Sequence, residues 1–128
     1  MVSERKAREG LLRWIEAVTS RDTTKMDQVA DELFTADYVW HLPGVTDLPP
    51  GPAGVKLAFR GILAENPGFR PTLEDLFVQG DKVASRCTFR RTDPASGKPQ
   101  HGTELAIRRF VGDQIAEVWE LISPWEDD

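Results

Sequence analysis

RPTLEDLFVQGDKVASRCTFRRTDPASGKPQHGTELAIRRFVGDQIAEVWELIS, residues Arg70–Ser123, decides the fold. Four runs within it, Arg70–Gln79, Lys82–Thr92, Gln100–Val111 and Gln114–Ser123, are long and rich in β-branched and aromatic residues, which reads as strands. Gly80-Asp81 and Gly112-Asp113 link them in pairs. Such short Gly/Asp links close antiparallel hairpins. Asp93–Pro99, with Pro94, Ser96, Gly97 and Pro99, is a longer loop. The stretch therefore predicts a meander of four long antiparallel strands.

Upstream the period changes to that of helices. Ala7, Leu11, Trp14, Ile15 and Val18 recur at helical spacing, so Ser3 to Ser20 reads as an amphipathic helix with Ser3 as N-cap and Glu4 against the helix dipole. A second helix carries Met26, Val29, Ala30, Leu33 and Phe34 as its stripe and is capped by Asp22 or Thr23. Asp37–Leu42 reads as a short aromatic strand ended by Pro43-Gly44. After a Pro/Gly loop from Leu48, Pro52 suits the first turn of a third helix, whose stripe is Val55, Ala58, Phe59, Ile62 and Leu63 and which stops near Asn66-Pro67-Gly68. Helices followed by a meander indicate an α+β fold rather than α/β.

Composition narrows the function classes. The 128 residues suit one domain, 1–128, and the 40% hydrophobic and 29% charged fractions are those of a globular chain with a real core. Acidic residues outnumber basic ones 21 to 16, a net charge of −5 that disfavours nucleic acid and anionic membrane as partners. No run approaches the roughly 20 apolar residues of a membrane span. The first twenty residues have no apolar signal-peptide core. A single cysteine, Cys87, excludes an internal disulfide and fits a reducing compartment. The expected location is the cytoplasm.

The order of elements and several local strings resemble the SnoaL-like branch of the NTF2-like fold. Asp37-Tyr38-Val39-Trp40-His41-Leu42-Pro43-Gly44 is similar to that branch's aromatic/His-x-Pro-Gly segment. Leu48-Pro49-Pro50-Gly51-Pro52-Ala53-Gly54 is similar to its loop into the third helix. Leu73-Glu74-Asp75-Leu76 through Gly80-Asp81-Lys82-Val83-Ala84-Ser85-Arg86 resembles its first long hairpin, and Arg109-Phe110 with Ile115-Ala116-Glu117-Val118-Trp119-Glu120 its last. The resemblance covers roughly Phe34 to Ser123. It implies a cone in which a curved antiparallel sheet of four long strands plus a short one packs on three helices around a small-molecule pocket. The family includes polyketide cyclases, ketosteroid isomerase relatives, epoxide hydrolases, dehydratases and members without chemistry, so fold does not settle function.

Site residues follow from the resemblance and from side-chain chemistry. SnoaL-like cyclases carry Trp-Asp on the last strand and use the acid as general base. Here the pair is Trp119-Glu120, one methylene longer. A carboxyl in an apolar cup has a raised pKa, which suits proton abstraction beside a carbonyl. The competing reading of Glu120 is an exposed charge on a strand with mixed faces. A three-residue loop at Val111-Gly112-Asp113 would set Glu120 opposite Glu104, giving a paired acid/base site. A two-residue loop would shift the register by one and flip the grouping. The sequence leaves both open.

His41 and His101 are the only histidines. His41, beside Tyr38 and Trp40, is read as a second catalytic candidate, against a satisfied or surface imidazole. His101 follows a polar loop at the start of a strand and is a pocket candidate. There is no His-x-x-x-His and no cysteine pair, so no metal or cofactor is expected. Ketosteroid isomerase relatives place an aspartate where Leu42 stands, and an acid near Ala106. Neither acid is present, so that activity is not expected and Leu42 becomes a pocket wall. The paired Arg/Asp constellation of limonene epoxide hydrolase is hard to place. Arg86 is its one candidate arginine, with a structural ion pair as the alternative. Trp14, Tyr38, Trp40, Phe59 and Leu63 are read as pocket wall, against plain core.

The combined expectation is a cofactor-independent cyclase, isomerase or dehydratase acting on an apolar carbonyl compound. The alternative is a non-catalytic hydrophobic-ligand binder or dimerisation module. The expected partners are an apolar small molecule and a second copy of the chain, because three helices cannot cover both faces of a long curved sheet.

Overall fold

The computed structural model describes residues 1–45 and 47–128. Among the described residues three helices, α1 (Glu4–Ser20), α2 (Thr23–Leu33) and α3 (Pro52–Glu65), accompany six strands: β1 (Phe34–His41), β2 (Arg70–Gln79), β3 (Lys82–Thr92), β4 (Pro99–Val111), β5 (Gln114–Ile122) and β6 (Glu126–Asp127). The fold is an α+β cone of the NTF2-like kind. No described helix is long and apolar enough to cross a membrane.

Local chemistry sets the element boundaries. Ser3 Oγ accepts the Lys6 amide at 3.1 Å and Asp22 Oδ1 accepts those of Thr24 and Lys25, so α1 and α2 start at capped residues. Phe34 does not end α2, as its place in the helical stripe implied. It turns extended and opens β1, burying its ring edge-on against Trp14 and Tyr38. Gly51, at φ 79°, sends the chain into α3, and a Cβ there would lie 2.4 Å from the Ala36 carbonyl oxygen. Only glycine lets α3 start this close to β1.

The sheet order is β1-β5-β4-β3-β2, with β6 pairing on β4. The four long strands form the expected antiparallel meander. β1 instead runs parallel to β5, with Trp40 opposite Val118 and His41 opposite Trp119. The long chain between these strands supplies the crossover that a parallel pair requires. β6 was not foreseen. Two residues are too short for a periodic signal, and they are held by Gln100↔Asp127 and His101↔Glu126 pairing.

The β4–β5 register resolves the open question about the last hairpin. Val111 pairs with Gln114, so the tip is a two-residue turn. That turn alone would have turned Glu120 outward. The pairing then slips between Arg109↔Glu117 and Phe110↔Ile115, leaving Ala116 as an extra residue in β5. This bulge restores the parity. Glu120 therefore pairs with Ala106, and Glu104 with Ile122. The two glutamates share a face as diagonal neighbours, not as a direct pair.

The helices cover one sheet face. Val83, Cys87, Ala106, Phe110, Ile115 and Val118 point into that core and are buried. The other face leaves Leu105, Ile107, Trp119 and Leu121 exposed.

Candidate active site

A cavity of about 330 Å³ lies between the sheet and helices α1 and α3. Its apolar wall includes Leu11, Trp14 and Ile15 from α1, Phe59 and Ile62 from α3, and Phe34 and Tyr38 from β1. Trp40 stacks on Phe59 with ring centroids 5.9 Å apart, and Trp14 meets Phe59 edge-on at 5.0 Å. Leu42, Val45 and Leu48, from the segment after β1, line it as well. Volumes of this order hold small organic molecules.

One side of the cavity is polar. Glu104 and Arg108 on β4 and Glu120 on β5 reach it from the sheet. Glu104 is 3% exposed and Glu120 7%, which is rare for carboxyls without partners. Arg108 Nη2 lies 3.6 Å from Glu104 Oε2, and Arg108 Nη1 donates to Ser85 Oγ at 2.8 Å. Trp40 Nε1 donates to Glu120 Oε1 at 3.0 Å. Burial pushes the Glu120 carboxyl up to about 9, and the neighbouring Glu104 reinforces this by hydrogen bonding and by its charge. Arg108 and the Trp40 N–H act the other way and are outweighed. Burial works against the Arg108 charge, but Glu104 and Glu120 hold its pKa above the ordinary arginine value. Burial raises the Tyr38 hydroxyl, and it pushes the Cys87 thiol up to about 12. Near neutral pH both are uncharged. The site thus offers two buried carboxyls and one cation beside a mostly apolar cavity, the requirement for donating and accepting protons in one place.

Of the residues selected from sequence, Trp14, Tyr38, Trp40, Leu42, Phe59, Glu104 and Glu120 line this cavity. Leu63 does not. It lines a separate recess of about 300 Å³ among the helices, with Met26, Lys56 and Arg60. His41 does not line the cavity either; it borders a second recess, on the outer sheet face, whose lining also includes Trp40, Leu42 and Glu120. Successive strand residues alternate faces, so with Tyr38 and Trp40 inward His41 points to the outer face. There it stacks on Trp119 at 5.4 Å, and its Nε2 lies 2.6 Å from Glu117 Oε2. That hydrogen bond, with one from Arg109, holds the Glu117 carboxyl below the usual range. Arg86 likewise faces out and pairs with Asp75 at 2.7 Å, an exposed ion pair. His101 sits at the sheet end between Asp128 at 2.8 Å and Glu126 at 3.7 Å, away from the cavity.

Sequence reasoning missed Arg108. It reads as one of two adjacent surface arginines, Arg108-Arg109. The available signal was parity: Arg108 shares a face with Glu104 and Ala106. Ser85 was missed for the same reason. Among the described residues no group of three or more His, Cys, Asp or Glu side chains is arranged to hold a metal.

Comparison with known proteins agrees with this architecture. TsrD from Streptomyces laurentii is 21% identical, with 96% of this chain and 92% of that one covered at a TM-score of 0.79. Wild-type IdmH from Streptomyces antibioticus, a protein assigned to the polyketide cyclases, is 28% identical, with 91% of each chain covered at a TM-score of 0.76. A protein from Catenulispora acidiphila with a ketosteroid isomerase-like fold is 16% identical, with 88% of this chain and 84% of that one covered at a TM-score of 0.74. No curated protein matches the sequence. The family model for the SnoaL-like domain matches residues 11–118, nearly the whole fold including Glu104, Arg108 and the bulged start of β5. The chain belongs to the SnoaL-like domain family.

Proposed function

We propose that this protein is a cofactor-independent cyclase, isomerase or dehydratase that acts on an apolar carbonyl compound by general acid–base catalysis. The observation that carries the reading is the buried Glu104–Glu120 pair at the polar side of an aromatic cavity. Two carboxyls sharing one proton supply an acid and a base together. The protonated carboxyl donates to the substrate carbonyl oxygen while the ionised one removes a proton from the adjacent carbon. The resulting enol can attack a second carbonyl, take back a proton at another carbon, or expel a β-hydroxyl. Glu120 was expected as the base. Its raised pKa makes its resting form at neutral pH the acid, and the pair, not one residue, is the catalytic unit. The assignment of IdmH to the polyketide cyclases supports the same class.

The test needs no knowledge of the natural substrate. 2-Tetralone, an aromatic ketone with acidic α-hydrogens, is incubated with the protein in D2O, and α-deuteration is followed by NMR. The reading expects exchange faster than in buffer, and a loss of roughly 10²–10⁴-fold in Glu120→Gln, the usual contribution of a positioned acid or base. Binding without accelerated exchange would favour the non-catalytic ligand-binding alternative.

We propose further that the protein is a homodimer joined through its outer sheet face. Leu105 pairs with Leu121 and Ile107 with Trp119 on that face, making two adjacent apolar cross-strand pairs that the helices leave uncovered. The cytoplasm remains the location that best suits a single buried cysteine.

A further inference from the structure

We infer that Arg108, fixed by Ser85, is a positioning residue that divides the acid and base roles, keeping the negative charge on Glu104 and leaving the proton on Glu120. The inference rests on the acid–base reading above and gives that site a direction.

The two carboxyls lie in one cavity but have different companions. Glu104 has a cation, with Arg108 Nη2 at 3.6 Å from its Oε2. Glu120 has a neutral donor, the Trp40 indole N–H at 3.0 Å. Coulomb's law favours the charge on the acid beside the cation, most of all where water is excluded. Arg108 could swing toward either acid if it were loose. Ser85 prevents this. It sits on β3 opposite Ala106, midway along β4 between Glu104 and Arg108, is itself buried, and takes the second arm of the guanidinium at 2.8 Å.

The remaining ionisable groups around the cavity do not upset this balance. Tyr38 from β1 and Cys87 from β3 are held neutral by burial, and Glu65 at the end of α3 is exposed. One cation and one shared negative charge leave the enclosure neutral overall. A neutral ligand is therefore the matching one. Its carbonyl oxygen would face Glu120 and Trp40 on the β5 side, and its acidic carbon would face Glu104 on the β4 side.

The experiment counts protons without any substrate. The protein is labelled with ¹³C at the glutamate side-chain carboxyls, the two signals are assigned with Glu104→Gln and Glu120→Gln, and their shifts at pH 7 show which acid holds the proton. The wild type is expected to carry one proton on the pair, on Glu120. Arg108→Met should move a share of that proton onto Glu104, because the cation that favoured the charge there is gone. Arg108→Lys, which keeps the cation, should return most of it to Glu120. Ser85→Ala, a mild change that stands in if Arg108→Met does not fold, should move a smaller share. An unchanged proton distribution in Arg108→Met, or in Ser85→Ala where the former does not fold, overturns the inference, as does a wild-type proton residing on Glu104. Absence of ketone exchange with this proton pattern intact would instead reject the catalytic reading and leave the role of Arg108 standing.

Discussion

The indole Nε1 of Trp40 on β1 donates to Oε1 of Glu120 on β5, closing a 3.0 Å contact between residues 80 positions apart. The contact exists because β1 docks parallel to β5 with Trp40 opposite Val118, two residues from Glu120 on the same face. It ties the aromatic wall to the acid. Trp40→Phe keeps an aromatic ring and removes the donor. The expected cost is about 1 kcal/mol of stability, read as a lower denaturation midpoint with unchanged slope. The N–H favours the charged form of Glu120, so its loss should also raise the Glu120 titration further. An unaltered titration would mean that the indole does not bond the carboxyl in solution.

Stability should depend on pH through Glu120. Its folded pKa, about 9, lies above the ordinary 4.5, so between these values the folded protein holds a proton that the unfolded chain releases. Stability from this group is fully present below the ordinary value and is lost as pH rises toward the folded one. The slope is at most about 1.4 kcal/mol per pH unit for one proton. Glu120→Gln, which does not titrate, should flatten the decline and gain on the wild type as pH rises. Parallel curves for the two proteins from pH 5 to 9 would contradict a desolvated carboxyl.

The β-rich half was legible because its signals are local. Alternation runs through whole strands, and Gly80-Asp81 and Gly112-Asp113 mark the tips. The face of Glu120 was not legible. Its orientation depends on a one-residue bulge at Ala116, and Ile115-Ala116, both apolar, offers no cue that one of them is extra. His41 shows the opposite case. Once Tyr38 and Trp40 are placed inward, strand alternation alone turns His41 outward, so its position could have been deduced. Arg108 could be placed on the inner face by its parity with Glu104 and Ala106, but its hold by Ser85 is a relationship between strands that linear spacing does not contain.

The outer face makes a separate prediction. Leu121 is 64% exposed and opposes Leu105 across the β4–β5 ladder. Leu121→Glu should leave the fold intact, because the side chain supports no core contact, while placing a charge in the proposed dimer interface. Sedimentation at micromolar concentration is expected to show a wild-type dimer and a monomeric variant. A monomeric wild type would remove the dimer proposal.

Cys87 should behave as an inert core thiol despite lining the cavity. Only the thiolate is nucleophilic, and burial with the nearby Glu104 charge pushes its pKa up to about 12. Alkylation by iodoacetamide at pH 8 should be at least about 100-fold slower in the folded protein than in denaturant, where the ordinary thiol pKa near 8.5 returns. Rapid native-state labelling would show that the thiol is open to water.

The central claim is that a buried carboxyl pair in the cavity keeps a proton at neutral pH. The infrared difference spectrum between wild type and Glu120→Gln at pH 7 tests it most directly, because protonated and ionised carboxyls absorb in separate regions. The account predicts that the wild type has a protonated-carboxyl band that the variant lacks. A difference confined to the ionised-carboxylate bands would contradict it.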